Sequence, residues 1–317
     1  MQITRRNFLR NSLITAGLTG LSGCQSFAGS KQPIFKLSLA QWSLNRHFFK
    51  RVEPHIDPLD FAETASSHGI KAVEYVSRFY SDKIRKPEYL KEMKLRADDN
   101  DVISVLIMVG GEGNLGDPDK AKRIQAVENH YKWADAAKFL GCHSIRVNAA
   151  SDKSKSYDEQ MKLAADGLSR LTEYTAELGM NTVVENHGGL SSNGQWLTGV
   201  MKLVNSKYCG TLPDFGNFAI NRKKNEWYDC YKGMRELMPY AKSVSAKSYE
   251  FDPKRPWITF RGDRKLDYLK LMRIVLDAGY RGYVGIESEG KGDQHKNLDM
   301  TRDMLLRVRE KLTPEYT

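Results

Sequence analysis

Three features of this 317-residue sequence predict one large (β/α)8 barrel, the TIM barrel, as a single domain. Short, nearly continuous apolar segments fit strands buried on both faces, as in parallel sheets. A longer stretch with helical spacing of its apolar residues follows most of them. The unit recurs at intervals of roughly 30 to 40 residues, the length of a βα repeat, and eight repeats fill the chain.

The strand segments are Lys36 to Gln41, Ala72 to Val76, Ile103 to Val109, Ser144 to Asn148, Thr182 to Glu185, Gly210 to Asp214, Ser243 to Lys247 and Tyr283 to Glu287. Ile124, Val127, Tyr131, Ala134 and Ala137 lie on one helical face. Leu163, Leu168, Leu171, Tyr174 and Leu178 form another, Leu266 to Leu276 a third, and Leu298, Met304, Leu305, Val308 and Leu312 a last one. Gly69, Gly141, Gly179 and Gly279 stand where helices should end, since glycine accepts the left-handed conformation of a C-cap. An open doubly wound sheet would usually carry a Gly-rich nucleotide loop after its first strand. Here Gln41-Trp42-Ser43-Leu44-Asn45 follows instead, and the Gly110 to Gly113 cluster after the third strand reads as a rim loop.

The ends stand apart from the barrel. Thr4-Arg5-Arg6-Asn7-Phe8-Leu9 resembles a twin-arginine export signal, and the apolar run Leu13 to Leu21 is too short to span a bilayer as a permanent helix. Leu21-Ser22-Gly23-Cys24 resembles a lipobox, in which Cys24 is lipidated and becomes the first mature residue. Residues 1–24 are therefore expected to be an export segment, 25–34 a polar tether and 35–317 the barrel. The expected location is the periplasm or cell envelope, with a membrane tether through Cys24. Formal charge is +10, and losing Arg5, Arg6 and Arg10 leaves 10 − 3 = +7. Basic residues are scattered among acids without interleaved aromatics, which argues against nucleic acid as a partner. Cys142, Cys209 and Cys230 lack CxxC spacing and are expected to be free thiols.

Chemistry is concentrated in Asn181 to Gly189, reading NTVVENHGG. A buried strand there turns to Glu185, Asn186 and His187 before a Gly-Gly break. Burying an unpaired carboxylate is costly, so the switch places charge at a rim. The same arrangement returns in Cys209 to Asn217 (CGTLPDFGN) and Gly282 to Gly290 (GYVGIESEG). In a barrel the C-terminal strand ends converge on one face, where the active site forms. Those ends supply Gln41 and Trp42, Glu74, Arg146 and Asn148, Glu185 and His187, Asp214 and Asn217, Lys247 and Tyr249, and Glu287 with Glu289. Three acids gathered from strands five, six and eight would raise one another's pKa or demand a cation, for which a hard divalent metal is suited.

With SLAQWSLN at Ser38 to Asn45, VVENHGG, LPDFGN and GIESEG, the chain resembles the xylose-isomerase-like sugar phosphate isomerase/epimerase superfamily, across the whole domain. That group includes tagatose and psicose 3-epimerases, hydroxypyruvate isomerase and inosose-processing enzymes. The resemblance implies a divalent metal, often manganese, with zinc, cobalt or magnesium as alternatives, held by Glu185, Asp214 and Glu287. It also implies that Glu185 and Glu287 are the acid/base pair that moves a proton next to a carbonyl of a sugar or keto-sugar. Two positions depart from the pattern. Ser245 stands where strand seven should supply a ligand histidine, and Asn217 where a second histidine should follow the strand-six Asp. Either the metal takes fewer protein ligands, or the Lys247 ammonium supplies the positive charge.

Trp42, Glu74, Arg146, His187, Asn217 and Lys247 are the candidate substrate binders. Trp42 and Phe215 read either as platforms that stack on a sugar ring or as rim packing. Glu74 and Arg146 read either as a buried pair beneath the site or as hydroxyl binders, and the remaining tryptophans as packing. Three other readings share the fold: a lyase that eliminates the aglycone of a 3-keto-glycoside with the same base, a non-catalytic sugar-binding lipoprotein, and an abasic-site endonuclease. The endonuclease needs several zinc-binding histidines, and only His187 is at a rim strand end. An oligomer is compatible with the sequence.

Overall fold

The computed structural model describes residues 32–81 and 83–317. The expected export segment, Cys24 and nearly all of the expected tether lie outside the described residues. The tether's last residue, Ile34, is buried in the core.

Eight parallel strands form the barrel: β1 (Lys36–Ala40), β2 (Ala72–Val76), β3 (Ile103–Met108), β4 (Ser144–Val147), β5 (Asn181–Glu185), β6 (Cys209–Leu212), β7 (Val244–Ser248) and β8 (Tyr283–Ser288). Each is followed by one helix of the outer ring: α1 (Phe61–Ser67), α2 (Pro87–Asp99), α3 (Lys120–Leu140), α4 (Tyr157–Glu177), α5 (Gly194–Val204), α6 (Cys230–Leu237), α7 (Tyr268–Asp277) and α8 (Gln294–Tyr316). Strand pairing runs β6-β5-β4-β3-β2-β1-β8-β7. The ring closes where β6 meets β7 through single bridges, Thr211 with Ala241 and Asp214 with Ser245. There the Ser245 amide donates to the Pro213 carbonyl at 2.9 Å, and the Phe215 amide to the Ser245 carbonyl at 3.1 Å.

Local chemistry accounts for the element ends. The Asp119 side chain caps α3 by accepting from the Ala121 and Lys122 amides, and Ser156 with Glu159 forms a reciprocal capping box on α4. Gly69, Gly141, Gly179 and Gly279 take φ of 70°, 84°, 70° and 78°, the left-handed geometry expected where helices stop. The third helix is shorter than its apolar spacing predicts. Leu266 belongs to a rim strand, Arg264–Asp267, and α7 begins only at Tyr268, after the Asp267 cap.

Alternation along the strands builds two apolar layers. Outward residues such as Val73, Ile145, Val184, Ala246 and Ile286 pack under the helices, while Ala72, Val183, Leu212 and their neighbours fill the lower barrel. Above that plug the inward positions become polar, and this sets the place of the site. Two rim loops carry strands beyond the repeat. One holds a hairpin of Ala219–Asn221 with Glu226–Trp227, and the other a three-stranded antiparallel sheet of Glu250–Phe251, Ile258–Arg261 and Arg264–Asp267. Cys142, Cys209 and Cys230 are free thiols, the first two buried. No helix among the described residues is long and apolar enough to cross a membrane.

Candidate active site

The two-residue period of a strand turns Glu185 inward one step above Val183, Lys247 above Ser245, Glu287 above Gly285 and Arg146 above Ser144. Asp214 lies just past β6. Its backbone is clamped by the fully buried Asn186, whose Oδ1 accepts from the Asp214 amide at 2.7 Å. The Asn186 Nδ2 donates to the Asp214 and Asn217 carbonyls at 3.0 and 3.1 Å. Asp214 Oδ1 in turn accepts from the Gly216 and Asn217 amides, each at 2.8 Å. The strands thus bring Glu185, Asp214 and Glu287 together, all buried, with one potential ligand oxygen from each within 4.8 Å of the others.

Two cations enter this cluster. Arg146 Nε donates to Glu185 Oε2 at 2.5 Å, and Asn217 Nδ2 holds the other oxygen at 2.7 Å. Lys247 Nζ lies 2.7 Å from Glu287 Oε1, 3.8 Å from Asp214 Oδ2 and 3.6 Å from Glu289 Oε1. Ser245, standing where the resemblance expects histidine, donates to Glu287 Oε2 at 3.2 Å. Glu289 also accepts from Trp42 Nε1 at 2.9 Å.

The carboxyls separate by environment. Burial pushes Glu185 up, but Arg146, His187, Lys247 and Asn217 together overcome it and hold the group down at about 2. Burial dominates at Glu287, which rises to about 8 against the opposing pull of Lys247, and at Asp214, which rises to about 6. Burial alone would lower Lys247, yet Glu287, Asp214, Glu289 and Glu185 drive it well above its ordinary value. Glu185 pulls His187 upward, but desolvation with Arg146 and Lys247 nearby leaves it below its usual range.

A divalent cation fits this donor set. Glu185, Asp214, Glu287 and Glu289 against Arg146 and Lys247 give 2 − 4 = −2 when all are ionised. Asp214 Oδ2 is buried without a hydrogen-bond partner. Carboxylate oxygens are the ligands a hard ion takes, and an Asp214 oxygen without a hydrogen-bond donor, among acids that outnumber the nearby cations, is the feature such an ion would relieve.

A cavity of about 320 Å³ opens above the cluster, lined by Trp42, Arg146, Glu185, His187, Asn217 and Lys247, and by Glu287 with Glu289. These sequence-predicted residues therefore share one site, with Asp214 in its floor. Glu74 does not belong to its lining. It is fully buried beneath the site and accepts from Ser38 Oγ at 2.6 Å. It does not pair with Arg146, whose partner is Glu185, so the expected burial beneath the site holds for Glu74 while the pairing and the hydroxyl-binding role are corrected. Phe215 is also unavailable to a sugar, being wholly buried and packed edge-on against Tyr268. Trp133 and Trp196 are packed in the core as expected. Sequence reasoning missed Asn186 as the brace of Asp214. It also missed two lining residues, Arg78 in a single 3-10 turn after β2 and Arg222 in the turn of the rim hairpin, segments too short to show a period.

A profile of the xylose isomerase-like TIM barrel family matches residues 62–309, and the chain belongs to that family. Its fold is that of the 3-keto-D-glucoside 4-epimerase YcjR from E. coli, with 16% identity over 87% of this chain and 99% of that one at a TM-score of 0.65. The D-psicose 3-epimerase from Clostridium cellulolyticum H10, solved with D-tagatose, is 15% identical over 87% and 99% at 0.62. The IOLI protein, solved with a bound zinc atom, is 14% identical over 89% and 99% at 0.65. A comparison with curated proteins finds no match.

Proposed function

We propose that this chain is a sugar isomerase or epimerase that shifts a proton on a carbon next to a carbonyl of a sugar or keto-sugar. The reading is carried by one observation: three buried carboxylates within 4.8 Å of one another beneath a cavity that Lys247 also lines. Family membership, and neighbours named as epimerases of keto-glucoside and psicose, point the same way.

Glu287 is the group that takes the proton. Its elevated pKa of about 8 suits exchange with a weak carbon acid near neutral pH. The charge that develops on the carbonyl oxygen is met by Lys247 Nζ, which is fixed among the acids and needs no reorganisation. Glu185, contributed by β5, takes up a proton from solvent and delivers it to the other face in an epimerisation, while the proton removed stays on Glu287 until solvent takes it. Because Arg146 and Asn217 favour its ionised form, its protonation is the demanding half of the cycle. His187 and Trp42 orient hydroxyls and ring. Glu185, Asp214 and Glu287 would hold a divalent metal, which when bound supplies Lewis-acid polarisation of the carbonyl.

The test is a panel of free ketoses, aldoses and keto-glycosides followed by NMR. Wild type is expected to interconvert isomers or epimers of at least one class, and Glu287→Gln to lose about 100-fold or more of that rate. Binding without any turnover across the panel would instead indicate a sugar-binding protein.

A further inference from the structure

The cavity above the carboxylates has two cations at its mouth that the proton transfer does not use. Arg78 lies in the turn after β2 and Arg222 in the turn of the hairpin after β6, and both line the cavity. β2 and β6 are four strands apart in either direction around the eight-stranded ring, so the two arginines reach in from opposite sides. Both are exposed, and neither guanidinium makes a hydrogen bond or ion pair among the described residues. Arg146 and Lys247, by contrast, are occupied by Glu185 and Glu287 at the floor. Each of the two loops is basic as a whole. Residues 77–86 hold Arg78, Lys83, Arg85 and Lys86 against one acid, 4 − 1 = +3, and residues 221–225 hold Arg222, Lys223 and Lys224 with no acid, another +3. The cavity is therefore polarised, with an excess of acids at the floor and an excess of cations at the lip.

We propose that the substrate is a sugar acid: a keto-sugar whose carboxylate, at the far end from its carbonyl, is held between Arg78 and Arg222. The carbonyl end stands over Glu287 and Lys247, and the carboxylate end points out of the barrel. A neutral sugar satisfies the floor and leaves both guanidiniums in water. An anionic end gains charge-assisted hydrogen bonds from two planar forks, and the basic loops draw it to the mouth. A carboxylate fits this lip better than a phosphate. Gly110 is the one glycine in the lining, and its amide donates to Ser77 Oγ at 3.1 Å, so the backbone there offers no cradle of free amides. The proposal rests on the keto-sugar reading above and adds a charge requirement to it.

The experiment follows solvent deuterium exchange for D-fructose, D-tagatose and D-psicose, for the keto-acids in which the terminal hydroxymethyl group of each is a carboxylate, and for the matching terminal phosphates. The proteins are wild type, Arg78→Ala, Arg222→Ala, and Lys223→Ala, which removes the same charge beside Arg222 but outside the lining. Wild type is expected to favour a keto-acid over its neutral ketose by about tenfold or more in kcat/KM. Arg78→Ala and Arg222→Ala should each cut that preference by about threefold or more, through KM rather than kcat, and Lys223→Ala should change it little. Equal kcat/KM for acid and ketose in wild type overturns the proposal, and so does a phosphate preferred to the carboxylate by about tenfold. Equal losses in Arg222→Ala and Lys223→Ala would show a diffuse field in place of a contact, and also overturn it. If no sugar exchanges, the proton-transfer reading fails, and calorimetry with the same sugars on Glu287→Gln protein decides the charge requirement alone. Keto-acid binding tighter than ketose by about tenfold sustains it there, and equal affinity ends it.

Discussion

Glu185 and Glu287 occupy neighbouring buried positions yet titrate in opposite directions, because burial is answered by different partners. Glu185 has a guanidinium and an amide on its two oxygens, whereas Glu287 shares one ammonium with Asp214 and Glu289. Glu74 shows the limit of burial without a cation. Burial raises it to about 7, Ser38 opposes the rise, and Oε2 is left without a partner. Between about pH 4.5 and 7 the unfolded chain releases a proton that the folded chain keeps, so this group costs stability as pH rises through that window. Glu74→Gln is therefore expected to be about 1–3 kcal/mol more stable than wild type at pH 8 and little different at pH 5, as read by thermal unfolding. The unsatisfied Asp214 Oδ2 leads to a second outcome. Elemental analysis of protein purified with manganese should show near-stoichiometric metal in wild type and roughly a tenth or less in Asp214→Asn. Metal-free wild type with full activity would leave Lys247 as the only polarising charge.

At the scale of elements, β2 and β8 are fitted to each other across β1. Gly285 has no side chain where the Glu74 carboxyl projects, and a Cβ there would stand 2.6 Å from Glu74 Oε1. Gly285→Ala should cost about 1–3 kcal/mol by overpacking, seen as a lower melting temperature. A shared loss of that size in Gly285→Ala and Gly285→Ala/Glu74→Ala would contradict this origin. The strands were legible because apolar runs broken by Gly-capped helices leave little freedom in pairing. β2 falls on Ala72–Val76 as read, and the others within a residue or two. Their place at the C-terminal strand ends also made Glu185, Lys247 and Glu287 legible as site groups. The rim hairpins were not legible, since Glu226–Trp227 and Glu250–Phe251 are too short to show a period. The role of Glu74 was hidden for a different reason. A strand-end acid pointing into the barrel looks the same in sequence whether its partner is Arg146 or Ser38.

For the whole molecule, the barrel separates support from chemistry. The lower interior is a small apolar plug and the outer layer a continuous core under eight helices, so the polar cluster at the top is held by packing it does not share. Loops after β6 and β7 carry the clamped turn at Asp214 and the two added rim sheets. In the function proposed here, the rim loops would set substrate choice and the strand ends would carry the proton transfer. The export signal read in residues 1–24 would place this site outside the cytoplasm, facing substrates without the phosphate that retains sugars inside.

The most direct test of the central claim is solvent deuterium uptake at carbon. Keto-sugar incubated with the enzyme in heavy water is expected to gain one deuterium at the carbon adjacent to its carbonyl, at a rate that Glu287→Gln abolishes. Turnover without uptake at that carbon, or uptake unchanged in Glu287→Gln, would contradict a carboxylate-driven proton shift at this site.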